Sequence, residues 1–127
     1  MGWINTPENI EDYVGFVYEI IEIDTRMVYY GCKKFWKTVK YKPLKGRKNK
    51  RHRKKETDWK NYKTSSPIMQ KKIRDNPDNY HMRIMCLCES VSDMKAQEAY
   101  IQLRHYVNGR WHMLYNECIN LRMRIPK

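Results

Sequence analysis

The 127-residue sequence predicts one small α+β domain. Two strand-type segments are separated by only three polar residues, a third strand-type segment spans 80–89, and a helix-start signal stands on either side of that third segment. Hydrophobic residues make up 41% of the chain and aromatic residues 13%, enough for a real core despite a mean hydropathy of −0.92. We therefore expect residues 1–127 to form a single domain, because the length leaves no room for two.

The first predicted element is a β-hairpin. Aromatic and β-branched residues dominate 13–23, the polar residues 24–26 interrupt them, and the pattern resumes at Met27. This alternation with a short polar break is typical of two antiparallel strands joined by a tight turn. We expect the strands at about 14–23 and 27–31.

A helix is predicted after the hairpin and the segment that follows it. Ser65 and Ser66 precede Pro67, and a serine cap followed by proline at the first helical position is a helix-start signal. The helix should run to about Arg74, because Pro77 lies just beyond it.

A third strand and a second helix complete the predicted elements. Residues 80–89 form the strand, and the apolar run from Ile84 to Cys88 suggests a central position covered on both faces. Either Ser90 or Ser92 can cap the helix that follows, which should end at about Val107.

The positive charge is concentrated in one segment. Residues 33–63 contain 15 Lys or Arg and two acids, a local balance of +13, whereas the whole chain carries +12. Pro43, Gly46 and the lack of apolar periodicity predict a loop over about 37–57. Such one-sign charge favours a polyanion, above all nucleic acid, although a solvated loop remains the alternative. The candidate nucleic-acid-binding residues are Lys33, Lys45, Arg47, Lys48, Lys50, Arg51, Arg53, Lys54 and Lys55.

Other function classes are disfavoured. No apolar run approaches the roughly 18 to 20 residues of a membrane span, and residues 1–8 lack the features of a signal peptide, so we expect an intracellular protein without a membrane partner. Cys86 and Cys88 should face the same side of the third strand, but no second Cys or His pair completes a zinc site. The cysteines are therefore interpreted as reduced thiols.

Two tripeptides stand on the hairpin strands, Phe-Val-Tyr at 16–18 and Tyr-Tyr-Gly at 29–31. With these motifs and the predicted order of elements, the chain resembles the GIY-YIG nuclease family over about residues 13–120. Within the family it is most similar to a small phage-encoded group of endonucleases. The shared features are Gly15 to Tyr18, Tyr29 to Lys34, the basic segment from Lys45 to Lys55, and Glu56 to Trp59 leading to Ser65 and Ser66.

The resemblance implies a small central three-stranded antiparallel sheet flanked by helices, with a basic loop insert. It also implies a metal-dependent DNA endonuclease. Tyr18 and Tyr29 correspond to the two motif tyrosines, Glu98 to the metal-binding carboxylate and Asn116 to the asparagine near the scissile phosphate. One glutamate is sufficient for Mg²⁺ (or Mn²⁺), since Mg²⁺ takes only one or two protein carboxylates besides waters and phosphate oxygens. Nearby cations should favour the phenolate form of a catalytic tyrosine.

The sequence departs from the family at two positions. The middle of the second motif is Tyr30 instead of an aliphatic residue, and we expect this side chain to face away from the site. The arginine that the family places soon after the second motif is missing. We expect Lys34 to replace it, with Lys33 or an arginine of the insert as the alternatives.

 The predicted function is therefore metal-dependent hydrolysis of phosphodiester bonds in DNA. The alternative is a non-catalytic nucleic-acid-binding protein that retains the GIY-YIG fold, and the missing arginine is its main support. An RNA-binding structural protein of ribosomal type would explain the charge but not the paired motifs. The expected partner is double-stranded DNA, bound by a monomer or by a dimer that forms on DNA.

Overall fold

The computed structural model describes residues 2–46, 51–117 and 119, and its fold is α+β, as predicted. Two short 3₁₀ helices, Pro77–Asn79 and Trp111–Met113, accompany the main elements. None of the helices in the described ranges is long and apolar enough to span a membrane. In chain order the main elements are β1 (Gly15–Glu22), β2 (Val28–Lys34), β3 (Trp36–Tyr41), β4 (Arg51–Glu56), α1 (Pro67–Asp75), β5 (Tyr80–Cys88) and α2 (Val91–Val107).

The central sheet has three antiparallel strands in the order β2-β1-β5. The predicted hairpin is confirmed as β1 and β2, and β2 continues three residues beyond the predicted end, to Lys34. β1 is the central strand, and seven of its eight residues are buried. This burial on both faces explains its nearly continuous apolar sequence.

The prediction that the third strand is central is wrong, because β5 is an outer strand of this sheet. Its burial alternates at first, and Met85 is 37% exposed. The outer side of β5 is covered by the N-terminal segment: the Ile4 N–H donates to the Met82 carbonyl at 2.8 Å, and the Ile84 N–H donates to the Ile4 carbonyl at 3.0 Å. The apolar run from Ile84 to Cys88 therefore reflects coverage of β5 by this segment and by the helices, and not a position between two strands of the sheet.

The two helices pack on opposite faces of the sheet. Tyr18 and Ile20 of β1 belong to the same buried cluster as Met69 and Ile73 of α1. On the other face, Val17 packs with Met94 of α2 and with Cys88. Full burial of a large apolar side chain contributes about 1.5–3 kcal/mol, so these two clusters hold both helices against β1.

Both predicted helix starts are confirmed. The Ser66 side chain accepts a hydrogen bond from the Met69 N–H at 3.4 Å, and Pro67 occupies the first turn of α1. Ser90, rather than Ser92, caps α2 by accepting from the Asp93 N–H at 3.0 Å. Each cap satisfies a backbone donor that has no partner within its helix.

The prediction of a loop over 37–57 is wrong, because β3 and β4 pair as a two-stranded antiparallel sheet. The register runs from Trp36 opposite Glu56 to Tyr41 opposite Arg51. Most of the side chains described in these two strands are exposed, so neither face imposes the alternation of apolar and polar residues by which a strand is recognised. Lys and Arg on both faces conceal the strand pattern in the sequence.

Candidate active site

A cleft of about 450 Å³ lies beside the outer edge of β2. Its walls come from β2, the start of α1, the middle of α2 and the segment after Met113. Three of the sequence-predicted site residues meet in it, although they are far apart in the chain. The lining residues are Tyr29, Ser66, Pro67, Ile68, Met69, Glu98, Gln102, Tyr115, Asn116 and Glu117.

Glu98 projects from α2 and is half-buried in the cleft wall. The Gln102 side-chain amide, one turn further along α2, donates to the Glu98 carboxylate at 3.3 Å. The same Nε2 donates to the Tyr30 carbonyl at 3.3 Å, and Gln102 is only 3% exposed. Gln102 therefore links the Glu98 carboxylate to the backbone of β2. Gln102 was not among the site residues predicted from the sequence, although its i,i+4 spacing from Glu98 places both on one helix face.

Asn116 is held against the outer edge of β2 by two hydrogen bonds. The Tyr30 N–H donates to Oδ1 at 3.0 Å, and Nδ2 donates to the Tyr30 carbonyl at 2.8 Å. The preceding residue, Tyr115, donates its N–H to the Val28 carbonyl at 2.8 Å. The segment around Asn116 thus continues the sheet by one short, strand-like contact, and each polar end of the Asn116 amide retains capacity for one further hydrogen bond.

Tyr18 lies behind the cleft and not in its lining. Its side chain is 1% exposed, and its hydroxyl shares a hydrogen bond with the Thr64 hydroxyl at 3.1 Å. Its ring centroid is 6.4 Å from that of Tyr29 and 6.1 Å from that of Tyr62. Tyr18 therefore supports the ring of Tyr29 from the interior.

The expectation that nearby cations favour a phenolate is wrong for both motif tyrosines. Burial raises the pKa of Tyr18 far above its ordinary value, and the hydrogen bond with Thr64 offsets this only in part. Burial also raises the pKa of Tyr29, and the negative charge of Glu98 adds to the effect, while hydrogen bonds with Thr64 and Ser65 oppose it. Both side chains are neutral phenols at neutral pH.

The register of β2 separates the two lysines considered as replacements for the family arginine. Lys33 shares a face of the sheet with Tyr29, whereas Lys34 lies on the opposite face, towards α2. The Lys33 Nζ is 4.4 Å from the Tyr62 ring centroid and 3.7 Å from an Asp58 carboxylate oxygen. Of the two lysines, Lys33 is thus the one placed on the side of the motif tyrosines.

Tyr30, the unusual residue of the second motif, faces away from the cleft as predicted. Its hydroxyl donates to the Glu19 carboxylate at 2.8 Å and lies 2.9 Å from His105 Nε2. Arg83 completes this cluster through an ion pair with Glu19 at 2.9 Å. The change from an aliphatic residue therefore alters the α2 side of the sheet and leaves the cleft lining unchanged.

The donor atoms of the cleft fit a hard cation. Glu98 and Glu117 offer carboxylate oxygens, and Ser66, Tyr29 and Asn116 offer further oxygens. Within the described ranges, no group of three or more His, Cys, Asp or Glu side chains is arranged to hold a metal ion. A site with one or two carboxylates suits Mg²⁺ or Mn²⁺, which complete their coordination with waters and phosphate oxygens.

None of the candidate nucleic-acid-binding residues that the structure describes in the insert lines the cleft. Arg53, Lys54 and Lys55 are exposed on β4, and Lys45 is exposed in the connection between β3 and β4. Arg51 begins β4. Three further candidates, Arg47, Lys48 and Lys50, lie outside the described residues.

Comparison with known proteins identifies the family. A family model described as "Putative endonuclease segE, GIY-YIG domain" matches residues 3–119, nearly the whole chain. Comparisons with curated proteins and with solved structures gave no match. The matched range contains both hairpin motifs, β3, β4, Glu98 and Asn116. The chain belongs to the SegE-type GIY-YIG endonuclease-domain family.

Proposed function

We propose that the protein is a metal-dependent endonuclease that hydrolyses phosphodiester bonds of double-stranded DNA. The observation that carries this proposal is the cleft beside β2, which collects Tyr29, Glu98 and Asn116 from three distant parts of the chain. Membership of a nuclease-domain family and a net charge of +12 support a nucleic-acid substrate.

Glu98 is the proposed ligand for Mg²⁺ or Mn²⁺, and Glu117 is the second carboxylate within the same cleft. When bound, such an ion stabilises negative charge on the phosphate and on the leaving oxygen. Gln102 holds the Glu98 carboxylate in place by its 3.3 Å hydrogen bond. This fixed orientation is the kind of support that metal-binding carboxylates require from their neighbours.

Tyr29 is the proposed contact to the reacting groups. Because its pKa is raised, the hydroxyl keeps its proton at neutral pH and acts as a hydrogen-bond donor to a phosphate oxygen or as a guide for the attacking water. Tyr18 positions the Tyr29 ring from behind, and Asn116 forms the outer wall of the cleft. Lys33 supplies a positive charge on the same face of the sheet.

One observation favours the alternative, a non-catalytic nucleic-acid-binding protein with the same fold. No Lys or Arg is among the residues that line the cleft in the described part of the chain. A phosphate-cleaving site normally surrounds the reacting phosphate with positive charge, so this cleft depends on a bound cation for that role.

The test incubates the protein with supercoiled plasmid in Mg²⁺ or in EDTA. We expect nicked or linear product only with Mg²⁺, and loss of that product in Glu98→Gln. Glu89→Gln is the matched control, because it removes an exposed carboxylate just before α2 and outside the cleft. Equal cleavage by Glu98→Gln and the parental protein would refute the metal assignment. Absence of cleavage together with DNA binding would establish the non-catalytic alternative, and gel filtration with a short duplex would distinguish a monomer from a DNA-induced dimer.

A further inference from the structure

The strands β3 and β4 form a projecting two-stranded ribbon, here called the basic ribbon (residues 36–41 and 51–56). Successive residues of a strand point to opposite faces, so the register defines two faces. Lys37 lies opposite Lys55, and Val39 lies opposite Arg53, on one face. We call this the cationic face. Trp36, Thr38 and Lys40 lie on the other face, which we call the anchoring face. Their cross-strand partners are Glu56, Lys54 and His52.

The cationic face places like charges side by side. Lys37 and Lys55 are direct cross-strand partners, an arrangement that destabilises an isolated ribbon. No ion pair reaches Lys37, Arg53 or Lys55 from any acidic side chain in the ranges 2–46 and 51–117. All three side chains are exposed. A polyanionic partner is the simplest source of compensating charge for this face.

The base of the anchoring face contacts the body of the protein, while Thr38, Lys40 and Lys54 further along this face are exposed. The Trp36 indole N–H donates to the Tyr13 carbonyl at 3.0 Å, and the Lys54 Nζ lies 4.1 Å from the Trp36 ring centroid. The Glu56 carboxylate accepts a hydrogen bond from the Trp59 indole at 2.8 Å. The described contacts with the body therefore lie on the anchoring face, and the cationic face is the one that holds Arg53 and the like-charged pair Lys37 and Lys55.

The base of the basic ribbon is firmly attached to the sheet that carries Tyr29. Phe35, between β2 and β3, is completely buried. The Thr57 N–H donates to the Phe35 carbonyl and the Thr57 hydroxyl donates to the Lys34 carbonyl, each at 2.7 Å. Because β2 leads directly into β3, the orientation of the basic ribbon is fixed relative to the cleft.

We propose that the basic ribbon enters the major groove of duplex DNA, with Lys37, Arg53 and Lys55 directed at base edges, and thereby selects where the cleft acts. This inference rests on the proposed function for its substrate. The major groove is about 12 Å wide and admits a two-stranded β-ribbon, whereas the minor groove, about 6 Å wide, is too narrow for one. Arginine in the major groove pairs with two acceptors of guanine, so Arg53 is the residue through which sequence preference would arise.

The experiment compares binding to two duplexes of the same sequence and phosphate charge. One carries bulky groups on the 5-positions of its pyrimidines, which fill the major groove, and the other is unmodified. Fluorescence anisotropy in EDTA measures affinity without cleavage. We expect the modified duplex to bind about tenfold more weakly or worse, the scale of one lost base contact, and the minor-groove ligand distamycin to have no effect.

Two double variants with equal charge loss separate groove entry from general attraction. Arg53→Gln with Lys55→Gln changes the cationic face, and Lys40→Gln with Lys54→Gln changes the anchoring face. Only the first pair should abolish the discrimination between the two duplexes, while both should weaken binding. Thermal melting checks that each variant is folded, and singly substituted Arg53→Gln replaces the first pair if it is not.

The outcomes are distinguishable from those for the proposed function. Equal affinity of the parental protein for both duplexes, or displacement by distamycin, would overturn groove entry even if the protein cleaves plasmid. Discrimination between the duplexes without any cleavage would support groove entry and refute the endonuclease. Equal loss of discrimination in both double variants would also overturn the proposed orientation of the basic ribbon.

Discussion

Gly31 lies directly opposite Tyr18 in the β1–β2 pair, and the missing side chain at Gly31 makes room for the Tyr18 hydroxyl. A Cβ at this position would overlap the Oη and Cζ atoms of Tyr18. The second hairpin motif therefore ends in glycine because any larger residue at position 31 would overlap Tyr18, the last residue of the first motif. The two motifs form one packing unit.

Gly31→Ala should destabilise the fold by about 1–3 kcal/mol, the usual cost of forcing extra volume into a packed core. Urea unfolding measures the effect. Gly2→Ala is the matched control, because no atom lies within 4 Å of a Cβ built there. Tyr18→Phe should recover part of the loss in Gly31→Ala, since it removes one of the two overlapping atoms. Equal stability of Gly31→Ala and Gly2→Ala would contradict this packing argument.

Phenylalanine substitutions should separate the two motif tyrosines. Tyr29→Phe should reduce the cleavage rate by about 10²-fold or more, since it removes the hydroxyl proposed to contact the reacting groups. Tyr18→Phe should mainly cost stability, about 1 kcal/mol for the lost hydrogen bond with Thr64, with a smaller effect on rate. Plasmid cleavage and thermal melting of both variants provide the comparison. A larger rate loss in Tyr18→Phe than in Tyr29→Phe would reverse the assignment.

Gln102→Met should raise the Mg²⁺ concentration needed for half-maximal cleavage by about tenfold, because the Glu98 carboxylate loses the donor that orients it. A merely structural role would lower the melting temperature without altering the metal dependence. Titration of cleavage with Mg²⁺ at a temperature well below melting distinguishes the two. An unchanged Mg²⁺ requirement would exclude Gln102 as a positioning residue.

Neutralising Lys37, Arg53 and Lys55 together should weaken DNA binding while changing its salt dependence by much less than three phosphate contacts would. Each lost phosphate contact reduces the slope of log K against log salt by about 0.9, so a set that contacts base edges should change the slope less than a set of equal size that contacts phosphates. Affinity measured from low to high salt provides the slope. A slope reduced by the amount expected for nearly three phosphate contacts would show that these side chains contact the DNA backbone and not the base edges.

Glu22 should make stability decline in acid. Burial alone would raise its pKa, but hydrogen bonds from Thr25, Tyr80 and Tyr115 outweigh burial, so the pKa lies below the ordinary value of 4.5. A lowered pKa means that the carboxylate stabilises the folded state above pH 4.5 and that this contribution is lost as the pH falls through the folded pKa. Urea unfolding from pH 7 to pH 3 should show a flatter dependence in Glu22→Gln. The same steepness in both proteins would contradict the role of this carboxylate.

The sequence predicted the elements that have one apolar side and clear end signals. The hairpin and both helices were recognisable from alternation and from Ser66 and Ser90 with their neighbours. The basic ribbon was not, because Lys and Arg on both faces remove the alternation. The edge position of β5 was missed because coverage by Ile4 depends on a contact between distant segments.

The candidate site was predictable only as a set of residue types. The resemblance selected Tyr29, Glu98 and Asn116, and the structure brings all three to one cleft. It could not indicate that Tyr18 lies outside the lining, because burial of a strand residue depends on what packs above it. Gln102 was missed because a buried glutamine has no motif of its own.

The two hydrogen bonds between Asn116 and Tyr30 also affect the behaviour of the protein in concentrated solution. An open strand edge offers its backbone groups to strands of other molecules and is a common starting point for aggregation. The Asn116 amide occupies one donor and one acceptor of that edge, and the Tyr115 N–H occupies a further acceptor at Val28. Substitutions at Asn116 should therefore lower the solubility of the protein. The cleavage rate of such variants must be normalised to the amount of soluble, monodisperse protein.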